Sequence, residues 1–328
     1  MSDAPWRGTV FLTDHPFGGP SSERETLEAA GFRLVYEGDE RDPARLRELA
    51  GQADGLINCY SPVSREVIEG LERCRVIARY GVGVDTIDLV AATERGIVVT
   101  NVPDYCVDEV SDHALALLLA LARRLPKLLR ATAAGRWQAT DAQPVHRLRD
   151  RTLGLVGFGR IAREVGRKAQ ALGLRVVASD PFVPGEAITA AGVEPRGLEE
   201  LLAEADVVSL HAPLTPETRH LIDAEALARM KPGAYLVNTS RGGLVDTDAL
   251  REALASGRLG GAALDVLETE PPDPDDELLA DENVLVTPHT SFYSEESLVE
   301  MRRKCVAQVI TVLEGRRPDY PVNPEVLN

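Results

Sequence analysis

Short runs of β-branched and apolar residues recur along the chain between stretches of helical periodicity. In the first third they fall at Thr9 to Leu12, Gly55 to Asn58, Val76 to Ala78 and Ile97 to Thr100, the last three each followed by turn residues and a helix-like stretch. That rhythm predicts a parallel sheet covered by helices. After Asn101-Val102-Pro103-Asp104 the pattern turns into an amphipathic segment, Asp108 to about Arg124, continuing irregularly to Trp137 and predicting a connecting helix. A second series opens at Thr152, with strands expected at Leu153 to Val156, Arg175 to Ser179, Asp206 to Leu210, Ala234 to Asn238, Ala262 to Asp265 and Val284 to Thr287. Six strands with intervening helices describe a full doubly wound sheet. A last helix is expected from about Glu295 to Leu313, followed by an irregular Pro-rich tail.

The 328 residues agree with this doubling, since a domain takes roughly 150 residues. Hydrophobic residues at 44% exclude extended disorder, and aromatics at 5% leave the cores to Val, Leu, Ile and Ala. The net charge of −16 repels phosphate backbones and anionic lipid, so neither nucleic acid nor membrane is an expected partner. The apolar run Ala114 to Ala122 is far short of the ~18 residues of a spanning helix, and the N-terminus lacks the apolar core of a signal peptide. Cys59, Cys74, Cys106 and Cys305 have no metal-ligand spacing. A cytoplasmic protein with free thiols and no metal is expected.

Chemistry enters at TLGLVGFGRIAREVG, which runs from strand to glycine turn to helix. Gly157-Phe158-Gly159-Arg160-Ile161-Ala162 fits the dinucleotide form GxGxxG/A: Gly157 for the tight turn, Gly159 for close approach of a pyrophosphate, Ala162 for helix-on-strand packing. The next strand ends in Asp180, a carboxylate placed to accept adenosine ribose hydroxyls and repel a 2′-phosphate, which favours NAD over NADP. Gly154 to Gly159 has the spacing of a P-loop, but Arg160-Ile161 stand where Lys-Ser/Thr are required. Three later segments, VNTSRGGLVD, ALDVLETEPP and VTPHTSFYSEES, each follow a predicted strand at the end where ligands collect. Arg241 offers a carboxylate clamp, His289 an acid/base, and Glu270 a group to tune it.

These segments, with RYGVGVDTIDLVAATERGIVVTNVP and HAPLTPETRHLI, resemble the D-isomer-specific 2-hydroxyacid dehydrogenases over almost the whole chain. HTSFYSEESLVEMRRKC and the arginine of RYGVG also resemble the branch that includes the C-terminal-binding-protein corepressors. The resemblance implies an NAD-binding Rossmann-type domain, residues 105–293, inserted into a flavodoxin-like substrate domain, residues 1–104 and 294–328, with a cleft between them and a homodimer arm formed by the nucleotide domain. It implies that Arg241 binds the substrate carboxylate, that His289 moves the proton, and that Glu270 supports the imidazole and raises its pKa. Glu268 competes for the last role, but the family's spacing puts the acid directly before Pro271. Arg79, Val82 and Gly83 would bind substrate, with Tyr60 and Phe292 shaping its site. Asp265 would hold the nicotinamide carboxamide, and His211, Ala212, Pro213, Thr218, Thr239, Ser240 and Ser291 would complete the cofactor site around Gly157, Phe158, Gly159, Arg160, Ile161 and Asp180.

Three departures are visible: Ala162 for the third glycine, Asp104 where a glycine is common, and Phe292 in place of a tryptophan of the corepressor-like branch. Glutamate at 270 disfavours the formate reaction of the superfamily, and no C-terminal regulatory domain is expected after the last helix. The expected function is interconversion of a small 2-keto acid and its (R)-2-hydroxy acid. The alternative is an NAD(H)-sensing binding protein with little turnover, because fold alone does not decide function.

Overall fold

In the computed structural model, which describes residues 6–327, the strand-and-helix rhythm builds two parallel sheets. One unit takes the chain up to Tyr105 and again from Ser294; the other takes Cys106–Tyr293. The first holds β1 (Gly8–Leu12), β2 (Phe32–Val35), β3 (Gly55–Asn58), β4 (Val76–Arg79) and β5 (Val98–Thr100), in the order β2-β1-β3-β4-β5. That is the flavodoxin-like order, whose ligand crevice opens at the carboxyl ends of the strands near the β1/β3 switch. β2 escaped the sequence reading. Its four residues alternate, with Phe32 and Leu34 buried and Arg33 exposed, so the charged residue breaks the continuous apolar run that marks β3 and β4.

The helix Glu295–Leu313 returns to this unit and buries Met301, Cys305, Val306 and Val309 against β3 and β4. An ion pair with a fully buried carboxylate fastens it to the other segment of the unit: Arg302 Nη2 donates to Glu23 Oε2 at 2.7 Å. Tyr80 Oη donates to Glu23 Oε1 at 2.9 Å, and His15 Nε2 lies 3.3 Å from it. Burial raises the pKa of Glu23, but the hydrogen bonds from Arg302 and His15 outweigh it and hold the carboxyl well below the usual range.

The second unit holds β6 (Thr152–Val156), β7 (Arg175–Ser179), β8 (Glu194–Pro195), β9 (Val207–Leu210), β10 (Ala234–Asn238), β11 (Leu259–Leu264) and β12 (Val284–Val286), all parallel, in the order β12-β11-β10-β9-β6-β7-β8. Six of these match the expected series. β8, an exposed Glu-Pro pair, carries no apolar signal, and its proline sits where an edge strand tolerates it. The order reverses between β6 and β9, where dinucleotides lie in doubly wound sheets.

The connecting segment differs from expectation in where it breaks. It is two helices, Val107–Ala122 and Leu125–Ala133, broken at Arg124, whose φ of 52° is left-handed and precedes Leu125-Pro126. Proline cannot continue a helix through its missing N–H and its ring, so the first helix stops there. The apolar stripe of the first helix is also satisfied at home: Ala114, Leu115, Leu117, Leu118 and Leu121 join Leu153, Leu155, Phe158 and Val237 in one core cluster. The apolar surface lies on the shorter second helix and beyond it, at Leu129 and Trp137, 68% and 89% exposed.

Candidate active site

Parallel strands end on one edge, and in the second unit that edge gathers the chemistry singled out from sequence: Gly157 after β6, Asp180 after β7, His211 after β9, Thr239 to Arg241 after β10, Asp265 after β11 and His289 after β12. The glycine turn is built as the motif requires. Gly157 has φ of 89°, and a Cβ there would stand 2.7 Å from the backbone carbonyl carbon of His211. Gly159 caps the twelve-residue helix Arg160–Ala171, and a Cβ on it would meet nothing within 4 Å. Open space over a helix N-terminus that has no side-chain cap fits a pyrophosphate.

Asp180 is held by backbone. Its Oδ2 accepts from Phe158 N–H and its Oδ1 from Phe182 N–H, both at 2.8 Å. One lone pair on each oxygen remains for ribose hydroxyls. Phe158 itself is buried beneath the turn with Arg163 over its ring, whereas Arg160 is exposed at the helix start and Ile161 half-buried. Thr239 Oγ1 is buried without a partner, an orphan that fits a polar ligand at the end of β10. Ser240 Oγ donates to Leu210 O at 2.9 Å, tying two strand ends together. Thr218 has a different duty from a free ligand: its hydroxyl donates to Pro213 O and accepts from Thr215 N–H, both at 2.7 Å, which shapes the loop after His211 and Ala212. Ser209 Oγ meets His211 Nε2 at 2.9 Å, and burial lowers the His211 pKa to about 4. These residues fit a dinucleotide, and the donors at the turn suit its phosphates.

His289 stands on a strained residue. Its φ is 50°, and its N–H donates to Asp265 O at 2.8 Å. His289 Nδ1 lies 2.7 Å from Glu270 Oε2, while Glu270 Oε1 accepts from Leu267 N–H at 2.9 Å. The competing acid is engaged elsewhere: Glu268 takes His220 Nε2 at 2.6 Å and Thr247 Oγ1 at 2.7 Å. The Phe292 ring meets the His289 ring edge-on, with centroids 6.3 Å apart. Arg241 follows β10 into Gly242, where a Cβ would fall 1.9 Å from the Leu267 carbonyl carbon, so the segments carrying Arg241 and Glu270 touch through a glycine. Asp265, 1% exposed, receives the N–H groups of Thr290 and Ser291, each at 2.9 Å, on its two oxygens.

The remaining candidates belong to the first unit. Arg79 is 7% exposed, its Nε is without a partner, and its guanidinium lies 5.8 Å from the Tyr60 ring centroid. Among the described residues no carboxylate pairs with it. Val82 is exposed, with its carbonyl bonded by Asn101 Nδ2 at 2.6 Å, and Gly83 is half-buried. The sequence reading missed Asp14, which accepts from the N–H groups of Cys59 and Tyr60 at 2.9 and 2.6 Å and braces the loop beside Arg79. Its only signal was a carboxylate just past the end of β1. All four cysteines are free and buried, and burial pushes the Cys59 thiol up to about 12. Among the described residues no cluster of three metal-ligating side chains occurs, and no helix is long and apolar enough to cross a membrane.

Comparison with known proteins agrees with this geometry. Residues 115–291 match the family model described as D-isomer specific 2-hydroxyacid dehydrogenase, NAD binding domain. A glyoxylate reductase of Korarchaeum cryptofilum is 42% identical over 302 residues, 90% of this chain and 91% of that protein. A D-3-phosphoglycerate dehydrogenase of Methanocaldococcus jannaschii is 42% identical over 90% of this chain, which spans only 56% of that longer protein. The solved D-lactate dehydrogenase of Aquifex aeolicus, complexed with NAD and lactic acid, superposes with a TM-score of 0.86 at 31% identity, covering 96% of this chain and 99% of that one. The chain therefore belongs to the D-isomer-specific 2-hydroxyacid dehydrogenases, a family of NAD-binding oxidoreductases.

Proposed function

We propose that this chain is an NAD-dependent oxidoreductase interconverting a small 2-keto acid and its (R)-2-hydroxy acid, with His289 as general acid/base. The observation that carries the reading is the 2.7 Å contact between His289 Nδ1 and Glu270 Oε2, on the strand edge that also bears the glycine turn and Arg241. Bound NAD supplies or accepts the hydride. In the direction of reduction, the His289 imidazolium gives its Nε2 proton to the substrate carbonyl oxygen as the hydroxyl forms, and its Nδ1–H stays hydrogen-bonded to the carboxylate of Glu270, which steadies the charged ring beforehand. In oxidation the neutral imidazole takes that proton back. Arg241 binds the substrate carboxylate through its fork of donors and polarises the carbonyl.

Arg79, a buried cation without a carboxylate partner, is proposed as a second carboxylate ligand, with backbone N–H groups of Val82 and Gly83 assisting and Tyr60 and Phe292 limiting substrate shape. Asp265 and Ser291 are assigned to the nicotinamide end. Thr239, Ser240, Gly157 to Ile161 and Asp180 are assigned to the rest of NAD, with His211 to Pro213 and Thr218 forming the loop beside it. The relatives are named for glyoxylate, lactate and phosphoglycerate, all small acids of this type. A cytoplasmic site of action accords with four unpaired thiols. We also propose a homodimer that covers Leu129 and Trp137.

The test is NADH consumption with glyoxylate, pyruvate, hydroxypyruvate, 2-ketobutyrate, phenylpyruvate and phosphonopyruvate. Turnover of at least one, with (R) product wherever the product is chiral and much weaker use of NADPH, is expected. Tight NADH binding with no turnover of any would overturn the reading in favour of an NAD(H) sensor.

A further inference from the structure

His113 belongs to no motif discussed above, yet it stands behind the residue on which the catalytic segment hangs. Asp265 Oδ1 accepts the Thr287 hydroxyl at 2.6 Å and Thr290 N–H at 2.9 Å, and its Oδ2 accepts Ser291 N–H at 2.9 Å. With His289 N–H on the Asp265 carbonyl, this one residue fixes the backbone on both sides of the imidazole. An ionised carboxylate only accepts, at about four sites. Three are used, and the fourth, on Oδ2, is left for a ligand.

Because Asp265 cannot donate, the single hydroxyl proton of Thr287 is committed to it. The Thr287 oxygen must then accept from its other neighbour, His113 Nε2, at 3.0 Å. That fixes the hydrogen on Nε2 of His113. The same nitrogen lies 3.6 Å from Asp265 Oδ1, and among the described residues His113 is the only side chain able to carry positive charge within 4.0 Å of this buried carboxylate. His113 sits on the helix Val107–Ala122, which packs against β10, β11 and the helix Arg160–Ala171, so the donor is held by a rigid element.

We infer that His113 is a positioning residue: through Thr287 it orients Asp265, and through Asp265 it sets the nicotinamide ligand and the segment 287–291 that carries His289. The inference rests on the oxidoreductase reading, and its test separates the two. In His113→Gln an amide N–H can replace the imidazole donor; in His113→Leu the volume is kept and the donor lost. On the cofactor-free parent, nitrogen-15 spectra of labelled histidine should show His113 with its proton on Nε2. NADH binding followed by fluorescence should weaken about tenfold in His113→Leu and stay within about threefold of the parent in His113→Gln, with kcat in the same order. A neutral ring with its proton on Nδ1 in those spectra overturns the inference. So does parental NADH affinity and kcat in the Leu variant, or equal impairment of both variants at matched thermal stability. Should the parent turn over no keto acid, the oxidoreductase reading falls, while the spectra and the NADH titrations still decide the role of His113.

Discussion

His289 and His211 are the same side chain at the ends of neighbouring structural problems, and their surroundings separate them. His289 has a carboxylate on Nδ1 and a left-handed backbone, φ 50°. Its context in sequence, Thr-Pro-His after an apolar run, was legible, and so was the choice of Glu270 over Glu268 once family spacing was added. The actual occupation of Glu268 by His220 and Thr247 was not legible, because it joins side chains far apart in the chain. His211 meets a serine hydroxyl and loses hydration, so burial lowers its pKa to about 4. The folded state therefore disfavours the charged ring, whereas the unfolded chain protonates near 6.5. Between those values the unfolded state binds more protons, so this contribution is complete above about pH 6.5 and is lost as pH falls towards 4, on the order of 3 kcal/mol in all. Urea unfolding of the parent and His211→Gln at pH 7 and pH 4.5 should show the variant losing less stability on acidification. Equal losses would refute the assignment.

At the scale of elements, the sequence exposed the strands buried at every position and missed β2, whose apolar run a charged residue interrupts, and β8, which has no such run. β3, β4, β6 and β9 are runs buried at every position, as parallel strands covered on both faces must be. β2 and β8 are edge strands of four and two residues, and composition hides them. The helix break at Arg124 was written in Leu125-Pro126, but the amphipathic pattern on either side masked it. Nothing in local sequence pairs Glu23 with Arg302, 279 residues apart, although this pair fastens the returning helix to its unit. Arg302→Ala leaves a buried carboxylate without its cation, a change that costs about 3–5 kcal/mol. The urea midpoint of unfolding of the unit formed by both chain ends should fall accordingly. A shift below about 1 kcal/mol, the scale of a surface pair, would show that the pair does not secure the helix.

On the scale of the whole molecule, an acidic chain of net charge −16 is proposed to bind an anionic cofactor and an anionic acid. The cations assigned to them, Arg79, Arg160, Arg241 and protonated His289, act at short range, where a few placed charges outweigh a screened global field. Apolar surface also points beyond the single chain: Leu129 and Trp137 lie on a segment that buries little of itself. Light scattering at micromolar concentration should give about twice 35.5 kDa, and Leu129→Glu should shift the mass towards a monomer. A monomeric parent would remove the dimer from the account. The central claim is narrower, that a proton passes through His289 during hydride transfer. Its most direct measurement is the kcat of His289→Ala beside its NADH affinity. With a keto acid that the parent reduces, the account predicts a kcat lower by about 10²–10⁴-fold with NADH binding unchanged, and a variant that oxidises NADH as fast as the parent would contradict it.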